Sequence, residues 1–277
     1  MANRNFHVHL VSDSTGETVS SVARACLVQY EGIFVQEHVW SLVRTKGQME
    51  KVMLEVERNR GPVLYTLVDP ELRDQVRDSC RSLQLPCVGV LDQAMSVLGL
   101  HFHSKSEQWP GRQHQLDEGY FDRIDAMHYT LAHDDGQSTH DLEDADVILV
   151  GPSRTSKTPT CVYLANRGVR AANVPLVPQV PPPAELESAI RPLVVGLITD
   201  PERLVQIRVN RLRLLQQETE SEYTDMETVQ REIQDARRLY ARRKWATIDV
   251  TRRSIEETAA SIMQMLATKR AQKLSAE

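Results

Sequence analysis

The feature that most constrains this chain is an aliphatic run that meets a glycine and then a hydroxyl-rich segment carrying one lysine. Residues 146–160 read Asp-Val-Ile-Leu-Val-Gly-Pro-Ser-Arg-Thr-Ser-Lys-Thr-Pro-Thr. The run from Val147 to Val150 suits a buried parallel strand, and Gly151 permits a sharp turn because it lacks a side chain. Pro159 suits the first turn of a helix, where its missing N–H is not needed. The sequence therefore predicts a strand, a tight turn and a helix in direct succession.

This succession is typical of a site that binds the phosphates of a nucleotide. A helix start presents free N–H groups and the positive end of its dipole, and Lys157 adds a full charge. Thr158 adds a hydroxyl able to hold a metal ion. The predicted nucleotide-binding residues are those of the loop itself: Gly151, Pro152, Ser153, Arg154, Thr155, Ser156, Lys157 and Thr158.

The loop departs at one position from the phosphate-binding pattern Gly-x-x-x-x-Gly-Lys-Thr. Ser156 stands where the pattern has its second glycine. A residue with a Cβ must adopt a more ordinary backbone conformation there or accept strain, so we predict a variant loop with contacts from Ser153, Arg154 and Thr155. The alternative is a helix capped by serine or threonine after a buried strand, which need bind nothing.

Length and composition indicate a soluble globular protein with room for two domains. The chain has 277 residues, of which 41% are hydrophobic. No apolar stretch approaches the roughly 20 residues of a membrane span, and the first residues lack the apolar region of a secretory signal. We therefore expect a cytoplasmic protein with no membrane partner. The four cysteines are scattered, so we expect reduced thiols.

Charge argues against a nucleic-acid partner, because phosphate backbones favour basic proteins and the formal net charge is −5. Arginine is nevertheless dense from residue 201 onward, at Arg203, Arg208, Arg211, Arg213, Arg237, Arg238, Arg242 and Arg243. We interpret them as a solvated helix face, with an acidic partner as the alternative.

Short apolar runs alternate with helical patterns along the first hundred residues, which predicts parallel βαβ units. Asp69 and Pro70 suit the cap and first turn of the third helix. The predicted strands are 6–11, 34–40, 63–68 and 87–91, and the predicted helices are 19–30, 48–59 and 71–83.

The alternation resumes after a polar segment with breaks at 109–111 and 134–136 around a helix near 120–132. Thr224 with Glu227, and Ser254 with Glu257, are predicted capping boxes. The predicted strands are 147–150, 173–177, 193–199 and 245–250, and the predicted helices are 159–167, one from 202, 224–244 and 254–267. We predict an α/β protein with an N-terminal domain (1–100), a connecting segment (101–144) and a C-terminal nucleotide-binding domain (145–277) with a mostly parallel sheet. No internal repeat is evident.

Ligands gather beyond the carboxyl ends of strands in open α/β sheets, so the turns at Asp200 and at Ser12–Thr18 are further candidate sites. The segment His133–Gly136 is another candidate because of its residue types. Asp200 follows the strand 193–199 and could orient a metal ion or accept a proton, or merely cap the next helix. The segment Ser12–Thr18 could hold an anion, although a capped turn is the favoured interpretation. The segment His133–Gly136 sets a histidine beside two carboxylates, as in a base or a metal site, but such pairs are also ordinary turns.

Several segments, in the right order, resemble the pyruvate, phosphate dikinase regulatory protein family, and the resemblance covers nearly the full chain. They are residues 10–18, 129–136, 151–160, 163–173, 195–203 and 249–257. The resemblance implies a bifunctional serine/threonine kinase and phosphorylase. Such proteins inactivate the dikinase by moving the β-phosphate of ADP onto a threonine, and reactivate it when inorganic phosphate removes that group as pyrophosphate. A sister branch acts on phosphoenolpyruvate synthase, but the loop looks more like the dikinase branch.

The resemblance implies that the C-terminal domain is a kinase domain that binds ADP at residues 151–158. We expect inorganic phosphate as co-substrate and Mg²⁺ at Thr158. Lys157 and Arg154 are predicted to bind and neutralise the phosphates, while Asp200 or Asp135 positions the threonine hydroxyl. The expected partner is the dikinase or the synthase, and a homodimer is left open. A small-molecule kinase is the rival that the loop alone fits equally well, and a nucleotide-sensing module is a further alternative.

Overall fold

The computed structural model describes residues 6–105, 107, 118–217 and 221–274. The chain forms two compact units that divide between Gln115 and Leu116. The predicted domain limits at residues 100 and 144 stay a prediction, and the predicted break at 109–111 lies outside the described residues. Within the described ranges, no helix is both long enough and apolar enough to cross a bilayer.

The first unit is a four-stranded parallel sheet with helices between its strands. The strand order is β2-β1-β3-β4. The elements are β1 (Phe6–Ser12), α1 (Glu17–Leu27), β2 (Val35–Trp40), α2 (Lys46–Arg58), β3 (Val63–Thr66), α3 (Pro70–Ser82), β4 (Cys87–Gly89) and α4 (Asp92–Phe102). The predicted alternation is confirmed, and α4 is an addition that the sequence analysis did not include.

The second unit is also a four-stranded parallel sheet between helices. Its strand order is β6-β5-β7-β8. The elements are α5 (Glu118–Ala132), short 3₁₀ turns at Asp134–Gly136 and Leu142–Asp144, β5 (Val147–Gly151), α6 (Lys157–Ala165), β6 (Ala171–Pro175), α7 (Ala184–Ser188), β7 (Leu193–Ile198), α8 (Pro201–Leu214), α9 (Met226–Arg243), β8 (Ala246–Asp249) and α10 (Ile255–Leu274). The α/β class is therefore confirmed.

Strand β5 lies inside this sheet and is buried on both faces. Val147 and Leu149 pack into the core formed with α6 and α10. Ile148 and Val150 pack into the core on the other face, formed with α9. All four side chains are 0% exposed, and burial of each such aliphatic side chain contributes about 1.5–3 kcal/mol. An unbroken apolar run, rather than alternation, is what a strand covered on both faces requires.

Helix α9 is fixed to the sheet through Tyr240. Its ring lies against Gly196 of β7, where an added Cβ would be 2.4 Å from the ring. Its hydroxyl lies 3.1 Å from the carbonyl oxygen of Val150 and 3.3 Å from that of Leu197. This side chain therefore joins α9 to two strands close to the end of β5, where the predicted phosphate loop begins.

Helix ends show which predicted caps form. Asp69 accepts a hydrogen bond from the backbone N–H of Glu71 at 2.8 Å, as predicted. Ser254 and Glu257 form the predicted capping box. The box predicted at Thr224 is wrong, because Asp225 caps α9 by accepting from the N–H of Thr228 at 2.8 Å. Helix α10 also extends past the predicted end at residue 267.

The two sheets share one topology. In each, the first strand lies inside the sheet, the second strand flanks it, and the third and fourth continue on the other side. The sequence shows no repeat, so the likeness of the two units is visible only in the strand order. All four cysteines are free thiols, as expected: Cys26, Cys80, Cys87 and Cys161.

Candidate active site

The β5–α6 loop, residues 151–158, turns directly from the buried strand into the helix. Gly151 is required by close packing, since an added Cβ would lie 2.7 Å from the carbonyl oxygen of Leu197 in β7. Helix α6 begins at Lys157, and Pro159 lies in its first turn. The predicted strand, turn and helix are therefore present, and the helix start provides unpaired N–H groups at the end of the sheet.

At the position of the missing second glycine, the loop keeps the backbone conformation that glycine favours. Ser156 has a left-handed backbone with φ 61°, and Arg154 has φ 71°. Each such residue carries strain of order 1–3 kcal/mol, which persists only where surrounding contacts enforce it. The hydroxyl of Thr155 donates to the carbonyl oxygen of Pro152 at 2.9 Å, which closes the turn on itself. Serine therefore accepts the backbone conformation that glycine would adopt.

Lys157 is folded beneath this turn. Its side chain is 5% exposed, and its Nζ donates to the carbonyl oxygen of Pro152 at 2.9 Å. Burial lowers the pKa of Lys157 to about 8, although the carboxylates of Asp135 and Asp134 favour its charged form. A partly desolvated ammonium beside a helix start is a strong binding position for an anion, which would restore the missing opposite charge.

Arg208 supports the loop from below and corrects the sequence analysis. The residue was interpreted as part of a solvated face, but it is 1% exposed. Its guanidinium forms two hydrogen bonds to Glu232, at 3.2 and 2.7 Å, and a 3.3 Å bond to the carbonyl oxygen of Ser153. Leu204 and Arg208 are the buried residues of α8. Their spacing of four residues was the available signal that Arg208 points inward.

Tyr223 connects the same arginine to the loop. The Arg208 guanidinium lies 4.3 Å from the centre of the Tyr223 ring and donates to the Tyr223 carbonyl oxygen at 2.9 Å. The Tyr223 hydroxyl lies 3.1 Å from the hydroxyl of Ser153. The segment before α9 is thus attached to the loop by both side chain and backbone.

The acidic turn, His133–Gly136, meets the other side of the loop. Thr158 donates its hydroxyl hydrogen to Asp134 Oδ1 at 2.9 Å. The amide Nδ2 of Asn173, on β6, lies 2.6 Å from Asp134 Oδ1 and 3.1 Å from Asp135 Oδ1. The structure therefore brings the predicted residues Asp135, Lys157 and Thr158 into one neighbourhood.

Asn173 is a site residue that the sequence analysis missed. Asp134 is one of the two carboxylates of the candidate turn, and it is the one that accepts a hydrogen bond from Thr158 of the loop. Asn173 is 1% exposed in a strand of otherwise apolar residues. A buried amide in such a strand was the signal, because polar groups are rarely buried without a partner.

The side-chain oxygens of Thr158, Asp134 and Asn173 are of the kind that a magnesium ion prefers as ligands. The hydroxyl of Thr158 is adjacent to the carboxylate of Asp134, and the side-chain oxygen of Asn173 is buried without a hydrogen-bond partner among the described residues. Mg²⁺ prefers oxygen ligands and retains waters, so it needs only one or two carboxylates beside a substrate phosphate. The described residues contain no group of three or more His, Cys, Asp or Glu able to hold a metal.

His133 holds the acidic turn in place. It is 3% exposed, with Nε2 2.6 Å from Asp141 Oδ1 and Nδ1 2.7 Å from the carbonyl oxygen of Tyr129. The hydrogen bond from His133 lowers the pKa of Asp141. Both ring nitrogens face acceptors, so the ring has no free nitrogen to offer a substrate. The interpretation as a structural turn residue is therefore the better one for His133.

Asp200 is a helix cap. Its Oδ1 accepts from the N–H of Arg203 at 3.1 Å, and its own N–H donates to Thr251 at 2.8 Å. Strand β7, which it follows, lies beside β5. Arg154 is an exposed residue of the loop. The catalytic roles predicted for Asp200 and Arg154 stay predictions.

The segment Ser12–Thr18 belongs to the first unit and is tied down by its own contacts. Asp13 is 4% exposed and accepts from the N–H of Val68 at 2.6 Å. Burial raises its pKa. Ser12 accepts hydrogen bonds from the N–H of Ser14 at 3.1 Å and the hydroxyl of Thr66 at 3.0 Å. These contacts join β1 to β3. The favoured interpretation of a capped turn is wrong, because the N-cap position of α1 is Gly16 and no side-chain hydrogen bond caps the helix there.

Comparison with known proteins identifies a family that this chain matches. A sequence model described as kinase/pyrophosphorylase matches residues 8–263. A protein of Rhodospirillum rubrum is 54% identical over 268 residues, covering 97% of this chain and 98% of that protein. Proteins of Paramagnetospirillum magneticum and Caulobacter vibrioides are 55% and 52% identical, covering 95% and 94% of this chain and 84% and 83% of those proteins. All three carry the provisional name pyruvate, phosphate dikinase regulatory protein.

The buried ion pair beneath the loop yields a stability prediction. The variant Glu232→Ala leaves the Arg208 guanidinium buried without its carboxylate, so the free energy of unfolding should fall by about 3–5 kcal/mol. Urea unfolding followed by tryptophan fluorescence, to which Trp245 of the same unit contributes, measures the loss.

The control is Arg191→Ala, which breaks an ion pair with Asp144 whose side chains are both 61% exposed. Its effect should stay within about 1 kcal/mol. If Glu232→Ala destabilised the protein no more than this control does, the buried pair would not support the loop.

Proposed function

We propose that this chain, which belongs to the kinase/pyrophosphorylase family, regulates pyruvate, phosphate dikinase by reversible phosphorylation. ADP is the phosphoryl donor for inactivation, and inorganic phosphate is the co-substrate for reactivation. The names of the relatives support the dikinase as the target in preference to phosphoenolpyruvate synthase. The observation that carries the chemistry is the buried Lys157 beneath a strained loop, with Asp134 and Asp135 beside it.

In the kinase direction, the loop N–H groups and Lys157 bind the two phosphates of ADP, and the exposed Arg154 neutralises charge on the β-phosphoryl group. Thr158 and Asp134 are the residues that would hold Mg²⁺, which supplies charge neutralisation on the phosphates when bound. The carboxylate of Asp135 positions the target threonine hydroxyl and accepts its proton. A bond forms between the threonine oxygen and the β-phosphorus as the bond to the bridging oxygen breaks, so AMP leaves.

In the reactivation direction, inorganic phosphate occupies the position of the β-phosphate. One of its oxygens attacks the phosphorus of the phosphothreonine, and the bond from that phosphorus to the threonine oxygen breaks. The products are pyrophosphate and free threonine. One anion site thus serves both reactions, because each places one phosphate group against Lys157 and the helix start.

The shared site predicts that Lys157→Ala abolishes both activities together. Each reaction loses the same cation, and removing such a charged contact to a transferring group commonly lowers the rate by about 10²–10³-fold. The measurement is ADP-dependent phosphorylation and phosphate-dependent dephosphorylation of pure dikinase, with melting curves to show that the variant folds. The exposed Lys51→Ala is the control. Retained dephosphorylation by Lys157→Ala would show two separate anion sites.

The pKa of Lys157 predicts a pH dependence of nucleotide affinity. Because burial sets that pKa at about 8 and bound phosphate favours the protonated amine, the affinity for ADP should fall as the pH rises through 8. The fall is at most about tenfold per pH unit for one proton. Terminal phosphates ionise near pH 6, so they contribute little above about pH 7.

Titration calorimetry from about pH 7 to 9 tests this dependence, and two buffers of different ionisation heat report the proton taken up. The variant Lys157→Arg keeps its charge at every pH in that range and should remove the slope. Equal affinity of the parent protein across the range would contradict a titrating lysine at the phosphates.

Variants of Asp135 and Asp200 distinguish which of these two predicted carboxylates is the catalytic base. Asp135→Asn should lower the turnover of the kinase reaction by about 10²–10⁴-fold with little change in the KM for ADP. Asparagine tolerates the left-handed backbone of Asp135, φ 50°, so the turn should survive. Asp200→Asn should be nearly neutral, because asparagine caps helices as well as aspartate does. The opposite pattern would make Asp200 the base.

A further inference from the structure

Beside the β5–α6 loop, the second unit contains a cavity of about 580 Å³. It shares residues with the loop and its support: Pro152 lies within the loop, Tyr223 contacts Ser153, and Glu232 is the partner of Arg208. The volume lies in the range of about 300–1,000 Å³ that is usual for small-molecule sites. A ligand that fills the cavity therefore extends directly to the phosphate-binding turn.

Position in the sheet agrees with a ligand site. One wall is the segment that follows β6, the strand hydrogen-bonded to β5, and the opposite wall is α9. In open parallel sheets, ligands bind outside the carboxyl ends of neighbouring strands. The cavity lies beyond the ends of the strand that leads into the loop and of its neighbour.

The lining indicates which part of a ligand enters. Its apolar surface comes from Leu176, Val177, Pro178, Val180 and Leu239. Flat aromatic rings are stabilised by such walls through burial of their faces. The volume and a lining that joins these apolar side chains to polar ones suit a purine ring with its sugar.

Charge favours the uncharged part of a ligand in the cavity. Glu222, Glu232 and Asp235 line it with one guanidinium, that of Arg231, and Glu232 is already paired with Arg208, so the lining offers a phosphate no excess of positive charge. Acidic groups repel phosphates but accept hydrogen bonds from amino and hydroxyl groups. An uncharged, donor-rich group is therefore favoured here, while the anionic end of the ligand is favoured at Lys157.

We propose that this cavity is the binding site for the nucleoside part of the purine nucleotide whose phosphates bind the β5–α6 loop. The assignment rests on the proposed function and adds the residues that select the nucleoside. Those residues are the segment 176–182 and the facing side of α9, both distant in sequence from the loop.

The test fills the cavity without touching the loop. Val180→Trp replaces a side chain that is 59% exposed, and Val177→Trp, at a position 52% exposed, provides a second variant should the first fold poorly. Ile190→Trp, at a position 84% exposed in the same unit and outside the cavity lining, is the matched control. Melting curves establish that each variant is folded.

Calorimetry with ADP and with inorganic pyrophosphate separates the two parts of the site. The Kd of ADP should rise at least about tenfold in the cavity variants, while the Kd of pyrophosphate, which has no nucleoside, should stay within about twofold. The control should bind both probes like the parent. Unchanged ADP affinity in both folded cavity variants would overturn the assignment, and so would equal weakening of both probes.

Phosphorylation of pure dikinase distinguishes this proposal from the one it rests on. If the parent protein transfers phosphate and the cavity variants raise the KM for ADP alone, both proposals are supported. A raised KM for the dikinase with an unchanged KM for ADP would overturn the nucleoside assignment and make the cavity a protein-docking site. If the parent transfers no phosphate but the cavity variants still weaken ADP binding selectively, the proposed function fails and the nucleoside site stands.

Discussion

The second unit depends on one abrupt turn of the backbone at the end of β5. Gly151 has no room for a side chain beside β7, and Arg154 and Ser156 accept left-handed conformations before α6 begins. Such strain persists only because hydrogen bonds within the turn and the buried Arg208 beneath it enforce the conformation. The same turn draws Lys157 under the loop, where burial lowers its pKa to about 8. The turn after β5 therefore determines both the backbone path of the loop and the lowered pKa of Lys157.

The acidic turn completes the site from a different part of the chain. Asp134 and Asp135 follow α5 and reach the loop through Thr158 and the buried Asn173 of β6. Phosphoryl transfer requires cations for the phosphates and a base for the incoming hydroxyl. The lysine and the helix start suit the first requirement, and the carboxylates beside them suit the second. His133 contributes by locking this turn, since both of its ring nitrogens are already hydrogen-bonded.

Local signals predicted much of the fold and part of the site. The unbroken apolar run before Gly151 identified β5, and the caps at Asp69 and Ser254 depend on neighbours within three residues. Arg208 and Asn173 were missed because their roles come from partners 24 and 39 residues away, Glu232 and Asp134. The cap of α9 was misplaced by one residue because Thr224 and Asp225 both suit it by composition. Long-range pairing of polar groups is what the sequence alone did not disclose.

The proposed role of the β5–α6 loop is phosphate transfer to and from a protein threonine. The decisive experiment incubates the pure protein with pyruvate, phosphate dikinase and ADP labelled in its β-phosphate, and then adds unlabelled phosphate. Label should appear on a dikinase threonine with release of AMP, and should then pass into pyrophosphate. Absence of label from the dikinase, or its appearance on a metabolite instead, would refute this role.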